Sequence, residues 1–473
     1  GANNVAVGNG SLENNTSANN NTAVGHQSLS TNTTGTGLVA VGQGALESNT
    51  TANYNTAIGM NSLFANTTGA SNVAVGYNAG AALTTGGINT LIGSLSGDAL
   101  TIGNSNVAVG YNSLTTEVAG DRNVAVGYSA LAVQTNASTV DTYNTAVGYA
   151  AGGAITTGTA NTLIGGLSGD ALTTGNYNVT VGMHSLGTST TASSNTAMGY
   201  QSMFSTTTGA SNVAMGRDTL YYNTTASHNV AVGYSALLAN TTGAENTALG
   251  YNTLSANTTA SNNTAIGSQT LKANTTGTAN TATGYKALQS NTTASYNTAD
   301  GYQSLYYNTT GANNTASGYR ALFANTTGSI NVAVGSLALQ ANTTASNNSA
   351  VGYHALYTNT TGASNTAMGL EALKYNTTAS NNTAFGMQAM RANTTGGNNT
   401  AMGYKTLDNN TTGINNTAVG LEALGLHTTG SQNTAIGMAA LNTTTTGTYN
   451  AAIGYAAASS SATASGEVTL GNA

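Results

Sequence analysis

A five-residue signature, Asn-Thr-Ala-Val-Gly or a close variant, returns at every seventeenth position along the whole chain. Its glycine is present in all 28 copies, from Gly8 to Gly471, and only the step from Gly127 to Gly148, which is four positions longer, breaks the period. Positions are counted here from the Asn of the signature, which makes the glycine position five. A unit of this length cannot bury a core alone and must stack on its neighbours. The period therefore predicts a solenoid in which each repeat forms one coil.

The length of the repeat selects the type of coil. Helical repeats need roughly 20 residues or more per unit, so a shorter unit favours β-structure. We expect two short strands per coil, one over the Thr-Ala-Val-Gly-Tyr segment and one around the Ala-Leu segment, with Asn-Thr-Thr-Gly as turn. The predicted fold is all-β, a parallel β-solenoid of 28 coils that runs as one continuous domain over residues 1–473.

Small residues and leucines indicate where the core lies. Position three is Ala in 24 of 28 copies, and position nine is Leu in 20 of the 27 copies that reach it. In four coils position nine is glycine and position twelve becomes apolar, at Gly80 with Leu83, Gly97 with Leu100, Gly152 with Ile155 and Gly169 with Leu172. Because a packed core must keep its volume, we expect the position-twelve side chains to replace the lost leucines.

Position four is apolar in 25 of 28 copies and should point away from the alanine face, because side chains alternate along a strand. An apolar stripe on the outside of a solenoid would cause aggregation. We therefore predict that the stripe is buried between chains, around the threefold axis of a homotrimer. Position six is Tyr in 13 copies, and we expect these rings to cover the edge of that interface.

The stripe turns polar in three consecutive coils, at Thr283, Asp300 and Ser317. Around a threefold axis, three copies of Asp300 would converge, and like charges in a dry channel must be protonated, hydrated or neutralised. Oxygen ligands suit Ca²⁺ better than Zn²⁺. Asp300 is thus the one predicted metal ligand, with Ca²⁺ as its cofactor. The alternative is that the assembly widens here and Asp300 lies in water.

Position twelve is Asn followed by Thr in 16 coils, and twelve consecutive copies form N-x-T sequons. These are Asn223, Asn240, Asn257, Asn274, Asn291, Asn308, Asn325, Asn342, Asn359, Asn376, Asn393 and Asn410. They are candidate glycosylation sites on an extracellular fibre. The alternative is a ladder of stacked amides joined by hydrogen bonds from coil to coil. Adjacent sites would be about 4.8 Å apart, which is tight for a glycan on each.

The longer coil carries an insertion at residues 134–143. We expect an outward loop that leaves the ladders on either side intact. It brings the sequon Asn136-Ala137-Ser138 outside the regular row, together with Val133 and Val140. Because a receptor site should break the repeat locally, this loop is the candidate binding site.

Ionisable residues give no support to catalysis. The five histidines fall at different places in the repeat, and none has a Cys or a second His at metal-ligand spacing; they are His26, His184, His228, His354 and His427. Charged residues are 5% of the chain and the net charge is −6, with no basic patch for nucleic acid. No apolar run is long enough to span a bilayer. We expect no catalytic site, no other cofactor, no nucleic-acid partner and no membrane insertion.

The Asn-Thr-Ala-Val-Gly and Asn-Val-Ala-Val-Gly units resemble the Ser-Val-Ala-Ile-Gly repeat of trimeric autotransporter adhesin heads, the YadA-like β-rolls. This resemblance implies a left-handed parallel β-roll assembled as a trimer. The stretch 464–473, Ala-Ser-Gly-Glu-Val-Thr-Leu-Gly-Asn-Ala, is similar to the junction that ends the repeats of phage-type tail fibres. In those fibres an endosialidase-type intramolecular chaperone follows and cleaves itself off, which implies a C-terminal region beyond this junction.

These observations predict a structural protein, the shaft or head of an extracellular fibre or adhesin that holds a binding tip away from a cell or virion surface. The rival prediction is a multivalent adhesin whose own surface, itself N-glycosylated, binds glycans or another cell. The expected partners are two further copies of the chain and a glycan or cell-surface receptor. Gly1-Ala2-Asn3 are the last three positions of a repeat, so we expect the chain to be part of a longer precursor.

Overall fold

The computed structural model describes residues 1–471. The chain divides into two compact units, unit 1 over Gly1–Thr242 and unit 2 over Gly243–Ala473. Each unit is a stack of coils with parallel strands, and no helix occurs among the described residues. The predicted fold class, an all-β parallel β-solenoid, is confirmed. One continuous solenoid over residues 1–473 stays a prediction, because each unit shows the fold by itself.

Nearly every strand has three residues, at positions two to four of its coil. Unit 1 contains β1 (Val5–Val7), β2 (Thr22–Val24), β3 (Val39–Val41), β4 (Thr56–Ile58), β5 (Val73–Val75), β6 (Thr90–Ile92), β7 (Val107–Val109), β8 (Gly120–Asp121), β9 (Val124–Val126), β10 (Val140–Asp141), β11 (Thr145–Val147), β12 (Thr162–Ile164), β13 (Val179–Val181), β14 (Thr196–Met198), β15 (Val213–Met215) and β16 (Val230–Val232). Unit 2 contains β17 (Thr247–Leu249), β18 (Thr264–Ile266), β19 (Thr281–Thr283), β20 (Thr298–Asp300), β21 (Thr315–Ser317), β22 (Val332–Val334), β23 (Ser349–Val351), β24 (Thr366–Met368), β25 (Thr383–Phe385), β26 (Thr400–Met402), β27 (Thr417–Val419), β28 (Thr434–Ile436), β29 (Ala451–Ile453) and β30 (Val468–Leu470).

Equivalent residues of successive coils lie side by side within each unit. Thr22 pairs with Val39 in unit 1, and Thr366 pairs with Thr383 in unit 2. The register survives the insertion, since Val124 of β9 pairs with Thr145 of β11. Every position of the repeat therefore forms a column of like side chains along its unit.

The second strand predicted for each coil is wrong. The Ala-Leu side of the coil forms turns, because residues at positions seven and nine take positive φ values, 55° for Gln27 and 51° for Leu29. A β-strand requires negative φ throughout. This side still bonds to the neighbouring coils, since the Leu29 N–H donates to the Ala45 carbonyl over 3.1 Å. The backbone hydrogen bonds expected of a strand are formed without strand geometry.

The signature glycine has two physical reasons to be invariant. Gly25 has φ of 137°, a conformation that side chains other than glycine rarely adopt. A Cβ atom on Gly25 would also lie 2.5 Å from the carbonyl oxygen of Gly42 in the next coil. The strand can therefore turn into the next segment, and the coils can stack closely, only with glycine at position five.

The core consists of position-three alanines against position-nine leucines, as predicted, and Ala40 and Leu46 are fully buried. The expected contribution of position twelve is present, since Leu83, Leu100, Ile155 and Leu172 are all buried in the core and Cδ1 of Ile155 would lie 3.1 Å from a Cβ on Gly152. Position three contributes as well, which was not expected. A Cβ on Gly80 would lie 2.7 Å from Leu91, and one on Gly97 would lie 2.9 Å from the same side chain. Leu91 stands at position three, where alanine is usual, and fills the space of two lost leucines. Leu163 does the same beside Gly152 and Gly169, while the apolar residues of position twelve replace asparagines.

The last described coil ends near the predicted junction 464–473. Val468 of β30 pairs with Ala451 of β29, so the signature of this stretch still belongs to the ladder of unit 2. Asn472 and Ala473 lie outside the described residues. The junction itself stays a prediction.

Candidate functional site

An interior column of side-chain amides runs along position twelve of unit 2. Nδ2 of Asn342 donates to Oδ1 of Asn325 over 2.8 Å and to the carbonyl oxygen of Ala345 over 3.0 Å. The same two bonds are made by Asn274, Asn291, Asn308, Asn325, Asn359, Asn376, Asn393 and Asn410. Each amide therefore links its own turn to the preceding coil.

A second amide column, at position one, shares an acceptor with the first. Asn331 donates from Nδ2 to the Ala345 carbonyl over 2.9 Å, and its backbone N–H donates to Oδ1 of Asn314 over 3.0 Å. The Ala345 carbonyl oxygen thus accepts hydrogen bonds from the side-chain amides of both Asn331 and Asn342. These bonds satisfy polar groups that would otherwise be costly to bury.

The twelve predicted glycosylation sites lie in this interior. Each of Asn223, Asn240, Asn257, Asn274, Asn291, Asn308, Asn325, Asn342, Asn359, Asn376, Asn393 and Asn410 is fully buried. An N-glycan is attached through Nδ2, and in the ladder Nδ2 uses both of its hydrogens for bonds within the protein. The prediction of glycans on this row does not fit the fold, and the amide ladder is the arrangement present.

The outer face of the strands forms the candidate interaction surface, which we call the position-four stripe. In unit 2, Phe385 is in register with Met368 and Met402 on the flanking strands. Phe385 is 49% exposed and Met402 is 45% exposed, whereas the alanine between positions two and four is buried. Unit 1 repeats the arrangement, with Ile58 at 40% exposed beside Val75. The predicted outward stripe is present, and one chain leaves it uncovered.

Position six forms a parallel aromatic column. Tyr128 stacks on Tyr111 and on Tyr149 with ring centroids 5.4 Å apart in each pair. In unit 2, Tyr302 stacks on Tyr285 and Tyr319 in the same way. These rings are close to half exposed. Stacking holds them in place, which leaves a pre-formed aromatic surface two residues along the chain from the position-four stripe.

Asp300 lies in the stripe where the sequence placed it. It is exposed on β20, in register with Thr283 on one side and Ser317 on the other. Among residues 1–471, no group of three or more His, Cys, Asp or Glu could hold a metal ion. One chain offers a single carboxylate with flanking hydroxyls, so coordination at Asp300 requires oxygens from further copies.

The insertion lies against a buried carboxylate that was not among the residues predicted from the sequence. Glu117 stands at position twelve and is fully buried. Its Oε1 accepts backbone N–H bonds from Val118, Ala119 and Gly120, the shortest at 2.7 Å. Oε2 accepts from Nε2 of Gln134 over 2.8 Å. The available signal was a glutamate at position twelve, which is an uncharged residue in every other coil that has this position, except for His427.

Part of the insertion therefore faces inward, contrary to the prediction of an outward loop. Gln134 and Thr142 are fully buried, and the exposed residues are Thr135, the stretch 137–141 and Tyr143. Asn136 donates from Nδ2 to Oε2 of Glu117 over 2.9 Å and from its backbone N–H to Oε1 over 3.1 Å. The exposed end is tied down by the pairing of β10 with β8 and by an ion pair between Arg122 and Asp141. The amide of the predicted sequon is thus engaged with Glu117.

The densest set of charges lies in unit 2, at positions seven and ten. Nζ of Lys374 is 2.7 Å from the carboxylate of Glu371, and this hydrogen bond lowers the pKa of Glu371 and raises the pKa of Lys374. Nε of Arg391 lies 3.1 Å from the carboxylate of Asp408, whose burial raises its pKa. These groups pair with one another along the coils, and none of them aligns a nucleophile with a base.

One histidine lies in the amide column. His427 is fully buried at position twelve, and its Nε2 lies 2.8 Å from the carbonyl oxygen of Gly430. Burial lowers its pKa. Within the described part of the chain, its Nδ1 and Oδ1 of Asn410 in the preceding coil have no hydrogen-bond partner. His427 thus takes the place of an asparagine as a neutral side chain, but it does not continue the hydrogen bonds of the amide column.

No protein-family model matches the chain, and no curated protein shows significant sequence similarity to it. Residues 1–471 contain no helix with the length and apolar character needed to cross a bilayer. The likeness to autotransporter heads therefore depends on the repeat residues alone, and the likeness to tail fibres on the stretch 464–473.

Proposed function

We propose that this chain is a structural segment of an extracellular fibre or adhesin, which holds a binding tip away from a cell or virion surface. The observation that carries the proposal is the position-four stripe, a column of apolar side chains open to solvent on in-register parallel strands. Exposed apolar columns of this length mark contact surfaces between proteins. The occupant we propose is the same stripe of two further copies, arranged around a threefold axis.

The interior supports a spacer role. Successive coils are joined by strand pairing, by backbone bonds on the turn side and by the two amide columns. Pulling one coil from the next would break all of these bonds together. A stack linked in this way resists extension and local unfolding, which suits a segment that sets a distance.

The assembly proposal is tested by measuring the mass of the chain in solution. Light scattering after size exclusion should give three times the 46.7 kDa mass of the single chain. Electron microscopy of the same sample should show three copies of the chain around one axis. A stable monomer at micromolar concentration, with the stripe exposed, would exclude assembly through this surface.

A further inference from the structure

A groove crosses three coils of unit 2 on the face formed by positions ten and eleven. Its floor has small residues, Ser255-Ala256, Ala273 and Ser290, and its volume is about 470 Å³. Tyr306 of the following coil closes one end. The groove forms because three coils carry small side chains on this face and the next coil carries a bulky aromatic pair, Tyr306-Tyr307.

The aromatic end of the groove is held rigidly. Tyr306 stacks on Phe323 with centroids 5.4 Å apart and an interplanar angle of 18°. Tyr307 meets both rings edge to face, at 4.6 Å from Tyr306 and 5.1 Å from Phe323. The guanidinium of Arg320 lies 4.9 Å from the Phe323 centroid. One face of Tyr306 is thus covered by Phe323, and the ring is pre-organised to stack on a ligand in the groove.

The polar groups of the groove indicate the chemistry of that ligand. Nε2 of Gln289 donates to Gln269 over 3.3 Å, whereas Oε1 of Gln289 is buried and has no hydrogen-bond donor within residues 1–471. A buried acceptor without a donor is costly, and a ligand hydroxyl would satisfy it. Lys272 also lines the groove and forms no ion pair within the described part of the chain.

Charge favours an anion here, although the whole chain is acidic. Between residues 246 and 370 the cations are Lys272, Lys286 and Arg320, and Asp300 is the one acid, whereas the net charge of the chain is −6. No carboxylate lines the groove. The groove thus offers a flat aromatic ring, an ammonium outside any ion pair and an unsatisfied acceptor. This combination suits a sugar ring that carries hydroxyls and an acidic group.

We propose that this groove binds an acidic saccharide. The pyranose face stacks on Tyr306, the acidic group contacts the Lys272 ammonium, and a sugar hydroxyl donates to Oε1 of Gln289. This site goes beyond the spacer role, because it gives the side of the solenoid an adhesive function of its own.

Unit 1 supplies a matched contrast. Tyr221-Tyr222 repeats the aromatic pair five periods before Tyr306-Tyr307. Tyr221 stacks on Phe204 with centroids 5.3 Å apart. The cavity beside it, about 230 Å³, is lined by Asp218 and Gln201 and by no cation. Asp218 is paired with Arg217 over 3.1 Å, and the lining offers no unpaired cation to an acidic ligand, so the unit 1 pair is the internal control.

The test is calorimetric titration of the full chain with two acidic probes, a tetramer of galacturonic acid and a sulfated tetrasaccharide, and with the methyl ester of the first. Wild type should bind at least one acidic probe, with weaker binding at high salt. Lys272→Gln should weaken acid binding by about tenfold, the equivalent of roughly 1.4 kcal/mol, and leave ester binding unchanged. Tyr306→Ala should weaken binding of acid and ester alike, and Tyr221→Ala should change neither.

The two probes distinguish a carboxylated from a sulfated ligand. Thermal melting of each variant shows whether it is folded, and Lys272→Gln changes a side chain that has no ion pair to lose. Absence of binding to both acidic probes, or acid binding that Lys272→Gln leaves intact, overturns the proposal.

Discussion

Nδ2 of Asn342 donates a hydrogen bond to Oδ1 of Asn325, one coil earlier, over 2.8 Å, and both side chains are fully buried. This contact gives the Asn-Thr-Thr row a structural role in place of the glycan row that its sequons suggested. Where the row of asparagines ends, the last amide loses a hydrogen-bond partner. Asn66, which precedes Leu83 in the column, has a buried Oδ1 without a hydrogen-bond partner.

Asn342→Leu should therefore destabilise unit 2. The substitution leaves Oδ1 of Asn325 without a donor and Nδ2 of Asn359 without one acceptor, at a cost of about 1–3 kcal/mol for each group. Thr344→Ala is the control, because Thr344 is exposed and its loss removes the same sequon without touching the ladder. Denaturant unfolding should separate the two variants. Intact mass after secretion from a eukaryotic host should show no glycan at Asn342, and a glycan there would contradict the buried ladder.

Val334→Asp combined with Val351→Asp should dissociate the proposed trimer. Val334 and Val351 are in register in the position-four stripe, and an aspartate at each would bring carboxylates together in a dry interface. Light scattering should then report the 46.7 kDa chain. Thr344→Asp, which adds a charge on the turn side, should keep the assembly intact. Unchanged mass for the double variant would place the interface elsewhere.

Asp300 should make the stability of the assembly depend on Ca²⁺. Three copies around an axis would supply the oxygen ligands that one chain lacks, and Ca²⁺ would relieve their repulsion. The melting temperature of wild type should rise with Ca²⁺ and fall with chelator, and Asp300→Val should lose this response. A wild-type melting temperature indifferent to divalent cations would mean that Asp300 lies in water.

His427 should make stability fall on acidification. Burial lowers its pKa in the folded chain below the value of about 6.5 expected when unfolded. The unfolded chain then binds the proton more readily, so the contribution of His427 is complete above about pH 6.5 and is lost as pH falls through the folded pKa. His427→Asn should restore an amide beside Asn410 and raise the melting temperature more at pH 5.5 than at pH 7.5. An equal shift at both pH values would contradict this assignment.

Asn136→Ala should show whether the insertion serves the buried carboxylate. The variant removes the Nδ2 bond to Oε2 of Glu117, and a hydrogen bond to a charged group contributes about 1.5–3 kcal/mol. Ser138→Ala is the control, since Ser138 lies on the exposed part of the same loop. Denaturant unfolding should distinguish the two. Equal free energies of unfolding for the two variants would contradict a structural role of the insertion. The exposed residues of the loop would then remain as the candidate receptor site.

Several structural features could be predicted from the sequence because they depend on local constraints that every coil repeats. The period itself required stacking. The outward orientation of position four in each coil followed from the alternation of side chains along a strand. The invariant glycine marked a special backbone site. Gly25 shows the reason, because its φ is 137° and a Cβ atom added to it would lie 2.5 Å from the carbonyl oxygen of Gly42. Such features depend on the backbone of one coil and its nearest copy, so a repeated pattern is enough to identify them.

Other features were decided by the tertiary structure, because they depend on which groups meet between coils. Asn342 looks like a surface sequon until stacking places the Asn325 amide 2.8 Å away. Leu91 fills the space beside Gly80 and Gly97 because a side chain can occupy volume in two coils at once. The buried carboxylate of Glu117 accepts hydrogen bonds from its own turn and from Gln134 and Asn136 of the insertion in the next coil. The sequence determined the coil and its stacking, whereas the partners of each buried polar group followed from three-dimensional proximity.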